Sequence, residues 1–117
     1  MYHCVMYSNE LIRGTLKTIV LKLLSEQERM YGYEITQRVK ELTAEKIIIT
    51  EGALYPLLHQ LEAEGVVITE TVSIGKRVRK YYSLTTPGQN LVREKVSEFS
   101  DFIRTMSILL DLKPGLS

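Results

Sequence analysis

The chain has 117 residues, 44% of them hydrophobic and 25% charged, with a formal net charge of +1. That suits one globular domain with one protruding element, and the overall charge does not by itself announce a nucleic-acid partner. No apolar run nears the roughly 20 residues needed to span a bilayer, which excludes a membrane partner on this pattern.

The opening MYHCVMYSNE has neither a basic segment nor a long apolar stretch, so no secretory signal is expected, and Met1 and Met6 both fit as a start. Cys4 is the single cysteine, so no intrachain disulfide forms, which fits a reducing cytoplasm. His3 and His59 are the only histidines, too few beside Cys4 for a structural zinc site. No metal and no cofactor is expected.

A first helix is predicted from Ser8, with Ser8 or Asn9 as its cap. Ile12, Leu16, Ile19, Val20, Leu23 and Leu24 recur at helical spacing, with Leu11 widening the stripe. These residues read as core. Ser25 to Arg29 is a polar break. A short second helix follows in MYGYEITQRVKEL, where Ile35, Val39 and Leu42 share a face. Tyr31 and Tyr33 stand at its N-terminal end, where free N–H groups face outward. A phenol there can donate to a phosphate or fill a gap in the core. Lys46 to Ile49 is a short β-branched run and reads as a small strand.

Thr50 to Gly65, TEGALYPLLHQLEAEG, is the most informative stretch. Thr50 is a natural N-cap, and Gly65 supplies the left-handed residue that stops a helix. Leu54, Leu57, Leu58 and Leu61 fall on one stripe about 60° either side of Leu54. Gly52, Tyr55, Pro56, His59 and Ala63 point the other way. A face meeting only water ordinarily carries Lys, Glu and Gln. This one has small residues, a phenol, a proline and an imidazole, which suit close approach to a partner. Two helices joined by a brief connection make a helix-turn-helix, whose second helix can enter a major groove.

Val66 to Thr85 is rich in Val, Ile, Thr and Tyr around Gly75, which predicts a β-hairpin with its tip at Ser73 to Arg77. Val66, Ile68, Val78, Tyr82 and Leu84 are its expected inner contacts. No Asp or Glu occurs from Thr71 to Arg93, while Lys76, Arg77, Arg79 and Lys80 crowd into that gap. Such a cluster is either a solvated edge that blocks aggregation or a cationic wing, and beside a helix-turn-helix the wing is favoured.

Thr86 as N-cap and Pro87 at the first helical position open a last helix, which runs to about Leu112 before Lys113-Pro114-Gly115 ends it. Val92, Val96, Phe99, Ile103, Met106 and Leu110 alternate four and three apart, a heptad seam. Phe102, Ile108 and Leu109 widen it. A helix of about 25 residues is about 38 Å long, more than a small body covers, so a second copy of the chain is the expected partner. The expected fold is mainly α with a small β-hairpin. Residues 8–85 form a winged helix-turn-helix DNA-binding domain and residues 86–112 a C-terminal dimerisation helix.

Three segments carry a family resemblance: MYGYEI, EGALYPLLHQLEAEG, and RKYYSLT followed by Pro87-Gly88. Together, over roughly residues 11–91, they resemble the PadR family of bacterial transcriptional regulators, in its shorter branch with one C-terminal helix. The resemblance implies a homodimer that represses transcription by binding a palindromic double-stranded DNA operator, released when a small aromatic or amphiphilic effector binds. It places at the DNA Tyr31, then Thr50, Glu51, Gly52, Ala53, Tyr55, Pro56 and His59, then the wing residues Lys76, Arg77, Arg79 and Lys80. Ala53 stands where relatives often carry Thr. The chain has no Trp, which excludes the stacked-tryptophan pocket of some relatives. Ile12, Leu16, Phe99, Phe102 and Met106 are the candidate effector-binding residues.

The front of the third helix holds no Arg, Asn or Gln in its first turns, so bidentate base readout is sparse, and shape and water must carry much of the selectivity. The competing reading is a winged-helix adaptor that binds protein without reading DNA. An enzyme is not expected, for the chain offers no paired acid and base, no nucleophile beside a histidine and no phosphate loop.

Overall fold

The computed structural model describes residues 7–112. Cys4, His3, the two candidate starts and the Lys113-Pro114-Gly115 stop lie outside that range. The expected first helix is two. Helix α1 is Asn9–Arg13 and α2 is Leu16–Glu26. The Ser8 hydroxyl caps α1 by accepting from the Leu11 N–H at 3.2 Å. The break follows from Thr15, whose N–H and hydroxyl both donate to the Ile12 carbonyl, at 2.8 and 2.9 Å. That carbonyl is then taken, and the helix restarts at Leu16. Val20, Leu21, Leu23 and Leu24 of α2 are buried, while Leu11 lies outside the core.

Strand β1 is Met30–Tyr31 and runs directly into α3, Gly32–Leu42. The Glu34 carboxylate closes the start of α3 by accepting from the Tyr31 N–H at 3.1 Å. Ile35 and Val39 are buried, but Leu42 is exposed, because α3 ends there and turns away. The connection to α4, Glu51–Ala63, contains no strand, contrary to the expectation for Lys46 to Ile49. Ala44 and Glu45 take left-handed φ of 51° and 65°, and the Thr43 hydroxyl accepts from the Ile47 N–H at 3.1 Å. This fixes a tight turn whose backbone faces no free sheet edge, and Ile49 anchors it in the core. The missing strand is β1.

Strands β2, Val67–Ile74, and β3, Arg77–Leu84, form the hairpin, and the sheet order is β1-β3-β2. The turn is Gly75-Lys76 alone, shorter than the expected tip. Only Gly75 has positive φ, at 62°, as a type II′ turn requires. The register sets Val67 opposite Leu84 and Thr69 opposite Tyr82 on the inner face. Ile68 pairs with Ser83 on the other face and is exposed, so it is not an inner contact. Val78 has the inner parity but lies near the tip, beyond the body, and is exposed too.

Tyr82 is 1% exposed. Burial pushes its phenol above the ordinary range, with Tyr55 and Glu62 adding to the effect. The unfolded chain therefore ionises first, near its ordinary value of about 10. The contribution of Tyr82 is whole below about pH 10 and is lost as pH rises toward the folded value. Chemical denaturation from about pH 8 to pH 11 should accordingly give a steeper alkaline loss for the wild type than for Tyr82→Phe.

Helix α5 is Thr86–Leu109. Its cap is Thr85, one residue earlier than expected, with the hydroxyl accepting from the Gly88 N–H at 3.1 Å. Thr85 is held there by the end of α4. Its N–H donates to the Val66 carbonyl at 3.0 Å and its hydroxyl to the Gly65 carbonyl at 2.7 Å. The helix ends at Leu109 instead of Leu112, where Asp111 turns left-handed at φ 56° and the Leu112 N–H reaches the Ser107 carbonyl at 2.9 Å. Val92 packs into the core on the α2 side. Farther along, Ile103, Ile108, Leu109 and Leu110 are exposed.

Candidate nucleic-acid interface

The site is built around α4. Its Thr50 cap accepts from the Ala53 N–H at 3.2 Å. At its other end Gly65, with φ 76°, donates to the Glu62 carbonyl, and the Val66 N–H reaches the Leu61 carbonyl at 2.9 Å. These two hydrogen bonds make a Schellman motif, with Gly65 as the left-handed stop expected of it. Leu54, Leu58 and Leu61 are 0% exposed, so the back of the helix is fixed against the core. Gly52, Pro56, His59 and Ala63 are exposed on the front, and Glu51 and Ala53 are exposed to either side of it at the first turn.

Tyr55 does not sit squarely on that front. It lies on the flank toward the wing, half-buried, with its ring over Gly32 at the start of α3. A Cβ on Gly32 would fall inside the Tyr55 phenol. The glycine thus gives this ring room to lie against α3, a role beyond easing entry into the helix. Tyr55 is consequently a packing residue as well as a surface one, and its truncation would loosen the α3–α4 contact.

The wing closes over this flank. A concavity of about 500 Å³ beside α3 and another of about 360 Å³ between α3, α4 and β3 open here. The second brings together Tyr31, Tyr55, His59, Arg79 and Lys80, five of the residues singled out from sequence. Gly32, Tyr33, Val78 and Tyr82 complete its wall: Tyr33 is the second phenol read at the start of α3, and Val78 was expected inside the hairpin instead.

On the outer face of the sheet the side chains stack in series. The Arg79 guanidinium lies 4.3 Å from the Tyr31 ring centre, and the Tyr31 and Tyr81 rings meet edge to face at 5.5 Å. Arg29 lies 4.2 Å over Tyr81 and pairs with Glu70 at 2.7 Å. The Tyr81 hydroxyl chiefly raises the Arg79 guanidinium pKa above its ordinary range, against desolvation, which lowers it. The stack orders Arg79 before any ligand arrives. Arg29 is the residue sequence reasoning missed: it lies 50 positions before Arg79, and only the β1–β3 pairing brings them near.

The four wing cations are not equivalent. Lys80 pairs with Glu62 at 3.6 Å. Arg79 is engaged by the aromatic stack. Lys76 and Arg77, at the turn, are exposed and have no ion pair among the described residues. They are the charges freest to neutralise a phosphate.

The five candidate effector residues do not share one cavity. Phe99 and Phe102 line an open groove of about 770 Å³ between α5 and the α1–α2 break, with Leu11 and Lys17. Ile12 and Leu16 face a separate small cleft beside Thr50. Ile12 and Leu16, four apart, share one face, while Leu11, Gly14 and Thr18 present the other face to α5. Met106 lines neither.

A helix-turn-helix flanked by a three-stranded wing, with one helix front left open, is a winged helix, the class of fold that presents its second helix to nucleic acid. Residues 20–94 match the model of the transcriptional regulator PadR-like family. A transcriptional regulator from Clostridium thermocellum superposes with a TM-score of 0.78 at 30% identity, covering 92% of this chain and 100% of its own. A PadR family transcriptional regulator from Eggerthella lenta gives a TM-score of 0.77 at 33% identity, covering 89% of this chain and 88% of its own. A transcriptional regulator of Mycobacterium tuberculosis is 31% identical over 85 residues, 73% of this chain and 76% of its own. The chain belongs to the PadR-like family of transcriptional regulators, which are not enzymes. Among the described residues no helix is long and apolar enough to cross a membrane.

Proposed function

We propose that the protein is a cytoplasmic, homodimeric repressor that binds a palindromic operator and is released by a small aromatic compound. Residues 8–85 would serve as the DNA-binding domain and residues 86–112 as the dimerisation helix. One observation carries the DNA reading: α4 is pinned at its back by three fully buried leucines, while Gly52, Pro56 and His59 stand exposed between the wing and α1. In this reading Thr50, Glu51, Gly52, Ala53, Pro56 and His59 enter the major groove. Glu51 can accept from a cytosine amino group there. Tyr31, Tyr55, Arg79 and Lys80 line the concavity beside it, and Lys76 and Arg77 clamp the backbone.

Support for the dimer is the exposed apolar run on α5, from Phe102 and Ile103 to Ile108, Leu109 and Leu110. A monomer rarely leaves such a strip open to water. Support for an effector is the groove at Phe99 and Phe102, which is large enough for a planar aromatic. Isothermal titration with planar aromatic compounds tests it, and the absence of any heat of binding overturns it.

The DNA reading is tested on a labelled duplex over a series of salt concentrations. Lys76→Ala with Arg77→Ala should weaken binding about tenfold near 0.1 M salt, alike for every duplex sequence, and flatten the salt slope by nearly two. Unchanged affinity would remove the wing from the interface. No salt-dependent retention by the wild type would favour the protein adaptor instead.

A further inference from the structure

A helix lying in a major groove about 12 Å wide has a phosphate strand on each side. The wing stands on only one flank of α4, the flank of Tyr55 and of Glu62, which pairs with Lys80. The opposite flank carries Ala53 and Glu64 and faces α1 and α2. There Lys17 lies 3.7 Å from Glu64 and is engaged by it. Arg13, the last residue of α1, shares a cleft with Asn9, Thr50 and Ala53, at the first turn of α4. Arg13 is exposed, and its guanidinium makes no ion pair or hydrogen bond among the described residues. Glu10 lies on the same short helix but is not among the residues of that cleft.

We propose that Arg13 is a second phosphate anchor, gripping the DNA strand on the side of α4 away from the wing, with the Asn9 amide beside it as a neutral donor. The proposal rests on the DNA-binding reading above and adds to it a residue outside the helix-turn-helix and the wing. Its position is fixed by the structure at two points. The Ser8 cap starts α1, and Thr15 stops it by occupying the Ile12 carbonyl, so Arg13 falls at the end of a rigid single turn. The Tyr7 N–H also donates to the Lys46 carbonyl at 3.2 Å, which ties the start of α1 to the turn between α3 and α4. Arg13 therefore travels with the reading helix. A cation held on each side of α4 centres it between the two strands. With the wing alone, the helix could roll about its axis toward that side. A guanidinium suits the role because its fork can take two oxygens of one phosphate.

The test uses the full chain and a labelled duplex of arbitrary sequence about three helical turns long, since a phosphate contact does not depend on sequence. Binding is followed by fluorescence anisotropy over a salt series for the wild type, Arg13→Ala, Arg13→Lys and the Lys76→Ala with Arg77→Ala variant. Arg13→Ala should bind several-fold more weakly near 0.1 M salt and lose about 0.9 from the salt slope. Arg13→Lys should keep the slope, since it keeps the charge. Circular dichroism of both variants should match the wild type, because Arg13 is exposed and unpaired. If Arg13→Ala binds like the wild type while the wing variant weakens, the proposal fails and the DNA reading stands. If Arg13→Lys loses as much slope as Arg13→Ala, Arg13 acts on local structure and the proposal fails. If the wild type itself does not bind with salt-dependent affinity, both readings fall together.

Discussion

Gly88→Ala is expected to lower the thermal midpoint by about 10 °C or more, an effect opposite in sign to what helix propensity alone gives. Inside a helix, alanine is ordinarily favoured over glycine by about 1 kcal/mol. Gly88 is buried, however, and a Cβ there would collide with the Val66 carbonyl oxygen and press on Leu84. That carbonyl is not free to move, because it accepts from the Thr85 N–H at 3.0 Å. Overpacking a core costs about 1–3 kcal/mol even when side chains can yield. Here the obstacle is backbone, so the upper end applies. Differential scanning calorimetry of the wild type and the variant measures the shift. A Gly88→Ala protein as stable as the wild type would mean that α5 does not approach the end of α4 as closely as the structure has it.

The second large effect concerns assembly. If the chain pairs through α5 as proposed, Ile103→Glu should leave a monomer at micromolar concentration, with the secondary structure intact. Ile103 is half-exposed on α5 in the single chain, between Phe99 and Met106, and has no role in the core around Leu54. A monomer therefore tolerates the glutamate. A dimer packed through this face would bury two such carboxylates near its axis without partners. Leaving a buried charge unpaired costs about 3–5 kcal/mol, and each 1.4 kcal/mol is about tenfold in association. Sedimentation velocity reads the mass directly. An unchanged dimer would place the self-association surface elsewhere, and a monomeric wild type would remove it. Binding to a palindrome should fall with the dimer, since a single half-site keeps only one helix and one wing.

Much of this arrangement is legible in the order of residues, because several signals there are local. Thr50 and Gly65 bound α4 by chemistry confined to one turn at each end, and both act as read. The leucine stripe of α4 is helical periodicity, and all of its fully buried members are on the expected side. Most of what escaped was non-local. Strand β1 has two residues, and only its pairing with Tyr81 and Tyr82 makes it a strand. The Ile47 to Ile49 run has the composition of a strand but no edge to join. Ile68 and Val78 are as apolar as the residues taken inward, and the register and the length of the wing decided their exposure. The α1–α2 break lay in a continuous helical pattern, and it took a doubled hydrogen bond at Ile12 to show it. The Tyr31–Tyr81 stack and its two arginines could not be inferred from spacing, since they meet only once β1 and β3 are paired.

The Thr85 junction makes an elbow. The same side chain that caps α5 also grips the two carbonyls at the end of α4, so the two helices share one pivot. A rod of 24 residues measures about 36 Å, and a tilt of about ten degrees at such a pivot swings its far end by roughly 6 Å. In the proposed dimer, small angular adjustments where two chains meet would thus be magnified into changes of reach between their paired reading heads.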